Sequence, residues 1–175
     1  MIRFTPPPSR PPQAAVPPPE AAAQGTDEPA RAAATLAAEA AFQAAQLCVR
    51  RKQFTQAERF ARKACEHDRG SAEYLALHAW VRMQGGELAS PADASQIMAA
   101  LDRAVLKERA SVSIRFYRAQ VLKRLGRHED AYKDFVFVAR RQPGNLDAMR
   151  EVRLYQMRVR NKQKTSGVFY KLFLR

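Results

Sequence analysis

Residues 112–144 read VSIRFYRAQVLKRLGRHEDAYKDFVFVARRQPG, and the way this stretch divides decides the fold. Val112 to Leu125 reads as helix, and Gly126 stops it, because glycine takes up the left-handed backbone that ends helices without steric cost. Arg127-His128-Glu129-Asp130 opens a second helix. Its acids stand in the first turn, where they meet the positive end of the helix dipole. That helix runs to about Arg140-Arg141, and Pro143-Gly144 breaks the chain. The result is a helical hairpin with Ala119 on its first helix and the pair Ala131/Val138, seven residues apart, on its second.

The same marks occur twice upstream. Ala45 is answered by Ala57/Ala64, and Ala79 by Ile97/Ala104. From Ala45 to Ala79 is 34 residues and from Ala79 to Ala119 is 40, whereas Ala57 to Ile97 is 40 and Ile97 to Ala131 is 34. One six-residue insertion between Ala79 and Ile97 accounts for all four spacings. A two-helix period of this length indicates stacked hairpins, each burying the face of the next. On the logarithmic rule, lengthening a connection from 12 to 18 residues costs only about 0.4 kcal/mol, so an array tolerates it.

The remaining boundaries follow from local chemistry. A first helix is expected from about Pro29, with Asp27 or Glu28 as cap and proline in the first turn, to about Lys52. Gln53-Phe54-Thr55 turns the chain into a helix from about Thr55 to Glu66, and Ser71 caps a third that Gly85-Gly86 ends near Met83. Ser90-Pro91-Ala92-Asp93 is a capping signal for a fourth helix, to about Glu108. Asn145 caps a last one, from Leu146 to about Arg160, which would cover the final apolar face. Residues 1–28, with runs at Pro6–Pro8, Pro11–Pro12 and Pro17–Pro19, are expected to be a disordered proline/alanine-rich linker. Residues 29–160 form the helical domain, and 161–175 a basic, then apolar tail. No strand-type alternation persists, so the fold expected is all-α.

Met1–Glu20 lacks the apolar stretch of a signal peptide, and no run approaches the uninterrupted apolar length that spans a bilayer, so the expected setting is the cytoplasm. Cys48 and Cys65 read as buried thiols acting as small hydrophobes. His67, His78 and His128 fall in three separate hairpins, and Gly85-Gly86 lacks the Lys-Ser/Thr of a phosphate loop. The expectation is therefore no catalysis, no metal and no cofactor. Lys plus Arg is 30 against 17 Asp plus Glu, a formal charge of +13. From residue 140 onward ten cations face only Asp147 and Glu151, with Tyr155, Phe169 and Tyr170 interleaved. This composition keeps open a contact with nucleic acid or with an anionic membrane.

The markers resemble those of the tetratricopeptide repeat over residues 38–160. Ala119, Gly126, Ala131, Phe135 and Pro143 match it in the third copy, Ala45, Phe54, Ala57 and Ala64 in the first, and Ala79, Leu101 and Ala104 in the second. Ile97 replaces a usual alanine, and the usual tryptophan is replaced by Ala41, Leu75 and Arg115. The resemblance implies a right-handed superhelical array of about three helix-turn-helix hairpins with a capping helix. It also implies a monomeric, non-enzymatic adaptor that binds a peptide in a concave groove lined by the first helix of each pair. Carried onto this chain, the groove consists of Gln46, Arg50, Trp80, Met83, Phe116, Gln120, Lys123, Arg124 and Arg150. An aromatic centre (Trp80, Phe116) flanked by cations suits a peptide with an apolar anchor and an acidic flank. Some family members grip a chaperone's terminal carboxylate with Lys and Asn, but those slots hold Phe42, Gln46 and Leu77 here, which does not support that clamp. The proline-rich linker, irregular triple repeat and basic-apolar end also look like the C-terminal modules of certain bacterial multidomain proteins. Some of those carry a DnaJ-type J domain, whose His-Pro-Asp tripeptide is missing from this chain.

Overall fold

A computed structural model describes residues 27–86 and 90–173 of the chain. The expected N-terminal linker and the centre of the insertion (87–89) lie outside the described residues. Seven helices follow one another: α1 Asp27–Arg50, α2 Phe54–His67, α3 Ala72–Gln84, α4 Pro91–Lys107, α5 Val112–Arg124, α6 His128–Arg141 and α7 Leu146–Phe173. The described residues contain no strand. Two compact units divide the chain, Met1–Ala33 and Ala34–Arg175, and the helical hairpins lie in the second.

The caps of α3, α4 and α7 form where the sequence places them. Ser71 and Asn145 accept bonds from the backbone N–H of Tyr74 (3.3 Å) and Ala148 (3.1 Å). Ser90 and Asp93 form a reciprocal capping box, with Pro91 in the first turn of α4. Two hairpin turns share one geometry. The Arg127 amide donates to the Leu122 carbonyl, and the Gln53 amide to that of Cys48, each at 2.9 Å. Gly126 (φ 77°) supplies the left-handed residue in one turn, and Lys52 (φ 60°) in the other.

All nine recurring markers are buried. Ala45, Ala57, Ala64, Ile97, Ala104, Ala119 and Val138 have no accessible surface, and Ala79 and Ala131 retain 3%. The seven alanines among them let paired helices approach, so the larger apolar residues, Ile97 and Val138 included, interlock around them. Leu77, Val81, Leu101, Ile114 and Leu122 fill that core together with Phe42 of α1 and Phe135 of α6.

One charged group sits inside. Asp134 of α6 is 1% exposed and accepts from Arg115 at 2.9 Å and from Arg118 at 2.7 and 2.9 Å. Arg118 also reaches Asp102 of α4 at 3.1 Å, and Arg115 lies over the Phe137 ring at 4.3 Å. The bond to Asp134 raises the Arg118 pKa further, against the opposing effect of burial. This network ties α4, α5 and α6 together, and it uses the arginine that stands in the third copy's tryptophan slot.

Both ends of the helical region differ from the sequence reading: α1 starts at Asp27, so Asp27 and Glu28 stand in its first turn ahead of Pro29. The last helix does not end near Arg160 but continues to Phe173: neither glycine nor proline stands between Leu146 and Ser166, and Gly167 does not stop it. By length and mean hydropathy, Glu28–Arg50 is a segment capable of crossing a bilayer, contrary to the expectation of none. Its apolarity is mostly alanine, and it contributes Phe42, Ala45 and Cys48 to the core. Cys48 is buried as expected; Cys65 is only half-buried. Burial, followed by the charges of Asp68 and Glu66, pushes its thiol up to about 11 and keeps it unreactive at neutral pH.

Removing the buried carboxylate tests the network. Asp134→Ala leaves two guanidinium groups facing a dry pocket, and since each keeps about a fifth of its surface in water, the loss is at the low end for a broken buried pair. Urea unfolding of Asp134→Ala is expected to show about 2–3 kcal/mol lower stability than wild type. A change below about 0.5 kcal/mol, the range of an ordinary surface substitution, would show the pairing to be incidental.

Candidate functional site

A cleft of about 390 Å³ opens where α3, α5, α6 and α7 meet. The sequence explains its position. The first helices of consecutive hairpins lie side by side, and α7 takes the place of a fourth first helix, so the cleft lies between α3, α5 and α7 with α6 beneath. Met83 and Phe135 form the floor, each nearly without accessible surface, and half-buried Phe116 provides the open apolar wall. Phe116 meets the Phe135 ring edge-on, with centroids 6.2 Å apart. Gln84, Gln120, Lys123, Arg124, Asp147, Arg150 and Glu151 make the polar rim.

The rim is not uniformly basic. Lys123 donates to Glu151 at 2.7 Å, which ties α5 to α7. Arg124 and Arg150 are exposed and have no ion-pair partner among the described residues. The available positive charge therefore lies on two arginines beside an apolar wall. That pairing can take a carboxylate bidentately while burying an adjacent apolar group.

Six of the nine sequence-predicted residues meet in this cleft: Met83, Phe116, Gln120, Lys123, Arg124 and Arg150. The other three do not line it. Gln46 and Arg50 belong to α1, and Arg50 stands exposed at its last turn. Trp80 is not an open aromatic centre but is 7% exposed and part of the core. Its ring stacks on Tyr117 at 5.1 Å and meets Phe54 edge-on at 6.3 Å. Its Nε1 donates to the Gln120 Oε1 at 2.9 Å, so Trp80 lies behind the wall and touches the cleft through one rim residue.

Sequence reading missed Phe135, Asp147 and Glu151 as lining groups. Asp147 and Glu151 lie three residues before and one residue after Arg150 on α7. A helical register carried outward from Arg150 would have found Asp147. Phe135 comes from the second helix of its hairpin, outside the concave set. Among the described residues no group of three or more His, Cys, Asp and Glu could hold a metal ion.

The fold is that of tetratricopeptide repeat domains. The Arabidopsis OM64 TPR domain superposes with a TM-score of 0.57 at 18% identity, covering 71% of this chain and 98% of that one. The first TPR of Spaghetti (RPAP3), solved bound to the HSP90 peptide SRMEEVD, gives 0.58 at 16% identity, covering 71% and 97%. The MamA protein gives 0.54 at 16% identity, covering 77% and 70%. No family model matches the sequence, and no curated protein sequence matches it.

Tyr117, which backs the cleft through Trp80, gives a pH test. Burial, followed by the charge of Glu73, pushes its phenol up to about 12. An unfolded chain ionises this group near 10, so the fold's preference for the neutral phenol contributes fully below that pH and is lost as the pH rises toward 12. Tyr117→Phe should therefore flatten the decline in stability across this window, as followed by urea unfolding at a series of alkaline pH values. An unchanged slope would mean that Tyr117 is not the group responsible.

Proposed function

We propose that this chain is a non-enzymatic adaptor that holds a short segment of another protein in the α3/α5/α7 cleft. The observation that carries the reading is the junction of Phe116 with two unpaired arginines, Arg124 and Arg150, in one preformed concavity. The segment that fits has an apolar side chain for the Phe116 wall and Asp or Glu beside it. Helix-borne side chains present this surface already ordered, which lowers the cost of binding. The RPAP3 domain, with its acidic chaperone peptide, supports the same class of ligand for this fold.

The clamp slots hold Phe42, Gln46 and Leu77, so we place the recognised acids within a chain rather than at its terminal carboxylate. A co-chaperone role belongs to the same proposal, on the sequence resemblance and on the RPAP3 ligand. The adaptor as proposed is monomeric and cytoplasmic.

Trp80 is the only tryptophan, and its indole is bonded to a rim residue, so its emission reports on the cleft. Titration with a synthetic peptide of one phenylalanine flanked by glutamates is expected to change that emission saturably. The Arg124→Glu/Arg150→Glu double variant should bind about tenfold or more weakly, as for the loss of charge-assisted bonds. Equal binding by the double variant, or preference for the same peptide with lysines in place of glutamates, would overturn the reading. Trp80→Ala is not a useful probe, because it removes core packing together with the contact.

A further inference from the structure

Gln120 is held in the cleft from behind. Its Oε1 accepts from the Trp80 Nε1 at 2.9 Å, and the Gln84 Nε2 approaches the same oxygen at 3.5 Å. The direction of the first bond is not a free choice. An indole nitrogen only donates, whereas a carboxamide has one end that accepts and one that donates. Turning the Gln120 amide over would set N–H against N–H. Trp80 has no room to move away, because its buried ring is packed on Tyr117, stacked at 5.1 Å, and on Phe54, edge-on at 6.3 Å.

The other end of the amide bears the consequence. With Oε1 turned to Trp80, the Gln120 Nε2 has no acceptor among the described residues. No buried side-chain nitrogen or oxygen among those residues lacks a partner, so this nitrogen is accessible, on a residue that lines the cleft. A neutral donor, fixed and unused, therefore stands in the wall. It lies between Phe116 and Arg124 on α5, four residues and about one helical turn from each.

What such a donor recognises follows from its neighbours. A ligand carboxylate is drawn to Arg124 and Arg150, whose charge-assisted, paired bonds are roughly twice as strong as a neutral amide's. An apolar side chain meets Phe116. The main chain that joins the two crosses Gln120, and the acceptor it carries is the peptide carbonyl. An α-helical ligand has already bonded those carbonyls within the helix, whereas an extended segment leaves them open. We infer that the Gln120 Nε2 is a main-chain donor that favours an extended peptide, and that Trp80 is the positioning residue that aims it. The inference rests on the peptide-binding reading of the cleft, and adds to it the conformation of the bound segment and the contact that reads it.

Calorimetric titration of the full chain tests it, with the phenylalanine–glutamate peptide and with analogues in which each peptide bond in turn is replaced by an ester, whose carbonyl is a poorer acceptor. One of the esters should bind the wild-type chain about fivefold more weakly, as for the loss of one neutral hydrogen bond. Gln120→Met keeps the length of the side chain and removes both ends of the amide. It should bind the parent peptide about fivefold more weakly and be indifferent to that ester. Trp80→Phe keeps a ring against Tyr117 and removes the N–H, so the freed amide can reverse and the ester penalty should shrink. A full penalty in Trp80→Phe would overturn the positioning role. Wild-type affinity in Gln120→Met, or an ester penalty that persists in it, would overturn the donor. If Arg124→Glu/Arg150→Glu still binds weakly in that case, the adaptor reading stands without this contact. A wild-type chain that binds neither the peptide nor its esters overturns both.

Discussion

Close approach of paired helices at small side chains is the constraint from which the rest of the structure follows. The nine markers, from Ala45 to Val138, are buried almost without residue. At the seven alanines among them, a longer side chain would push two helices apart and leave voids around Leu77, Leu101 or Leu122. The requirement is local to each contact and repeats with the hairpin. It therefore fixes the phase of the array while leaving connections free to vary. The longer connection between α3 and α4 shows this freedom: the phase of Ile97 and Ala104 is kept on one side of it and that of Ala79 on the other.

The third hairpin meets the same demand by different chemistry. Arg115 stands on α5 facing α6, and an arginine directed at a helix interface needs a counter-charge. Asp134 supplies it, with Arg118 as a second partner that also reaches Asp102. Three helices are thereby bound through one carboxylate, and the guanidinium of Arg115 still covers an aromatic face, that of Phe137. Desolvation makes such pairs poor sources of net stability, but it makes their geometry specific: a slip of α6 by one residue would strand the carboxylate. The pair and the small-residue contacts thus constrain the same register, one through charge and the other through volume.

Most helix ends were legible because they are set by short-range chemistry: Ser71, the Ser90/Asp93 box, Gly126 and Asn145 cap or stop helices through bonds within a few residues. Lys52 was not legible as a left-handed residue, since nothing in its side chain demands that backbone. The matching turn imposes it, with tertiary contacts holding both flanking helices. The length of α7 was misjudged for a related reason. A turn to basic composition does not end a helix, and α7 continues through it to Phe173. At the site, six of the nine residues named from the concave-face register line the cleft. Register cannot say which aromatic on a concave face will be covered, and Trp80 was covered because Tyr117 and Phe54 close around it. Phe135 was missed because it comes from the second helix, and depth below a groove is invisible to a pattern that tracks only one helix of each pair.

The bond from Lys123 to Glu151 links the site to the architecture. It joins the last hairpin to the terminal helix at the rim of the cleft, so the groove's width is held by a charge pair that is itself exposed on the lysine side. A partner carboxylate arriving at Arg124 and Arg150 meets Glu151 as a like charge unless that residue stays committed to Lys123. In the binding mode proposed above, neutralising Glu151 in place counts as much as the two arginines without an ion-pair partner. The cleft sets three cations against two acids. A uniformly positive groove would attract any polyanion; the segment proposed for this one is a short acidic stretch that reaches Arg124 and Arg150 without crowding Asp147 or Glu151, and that brings an apolar side chain to Phe116.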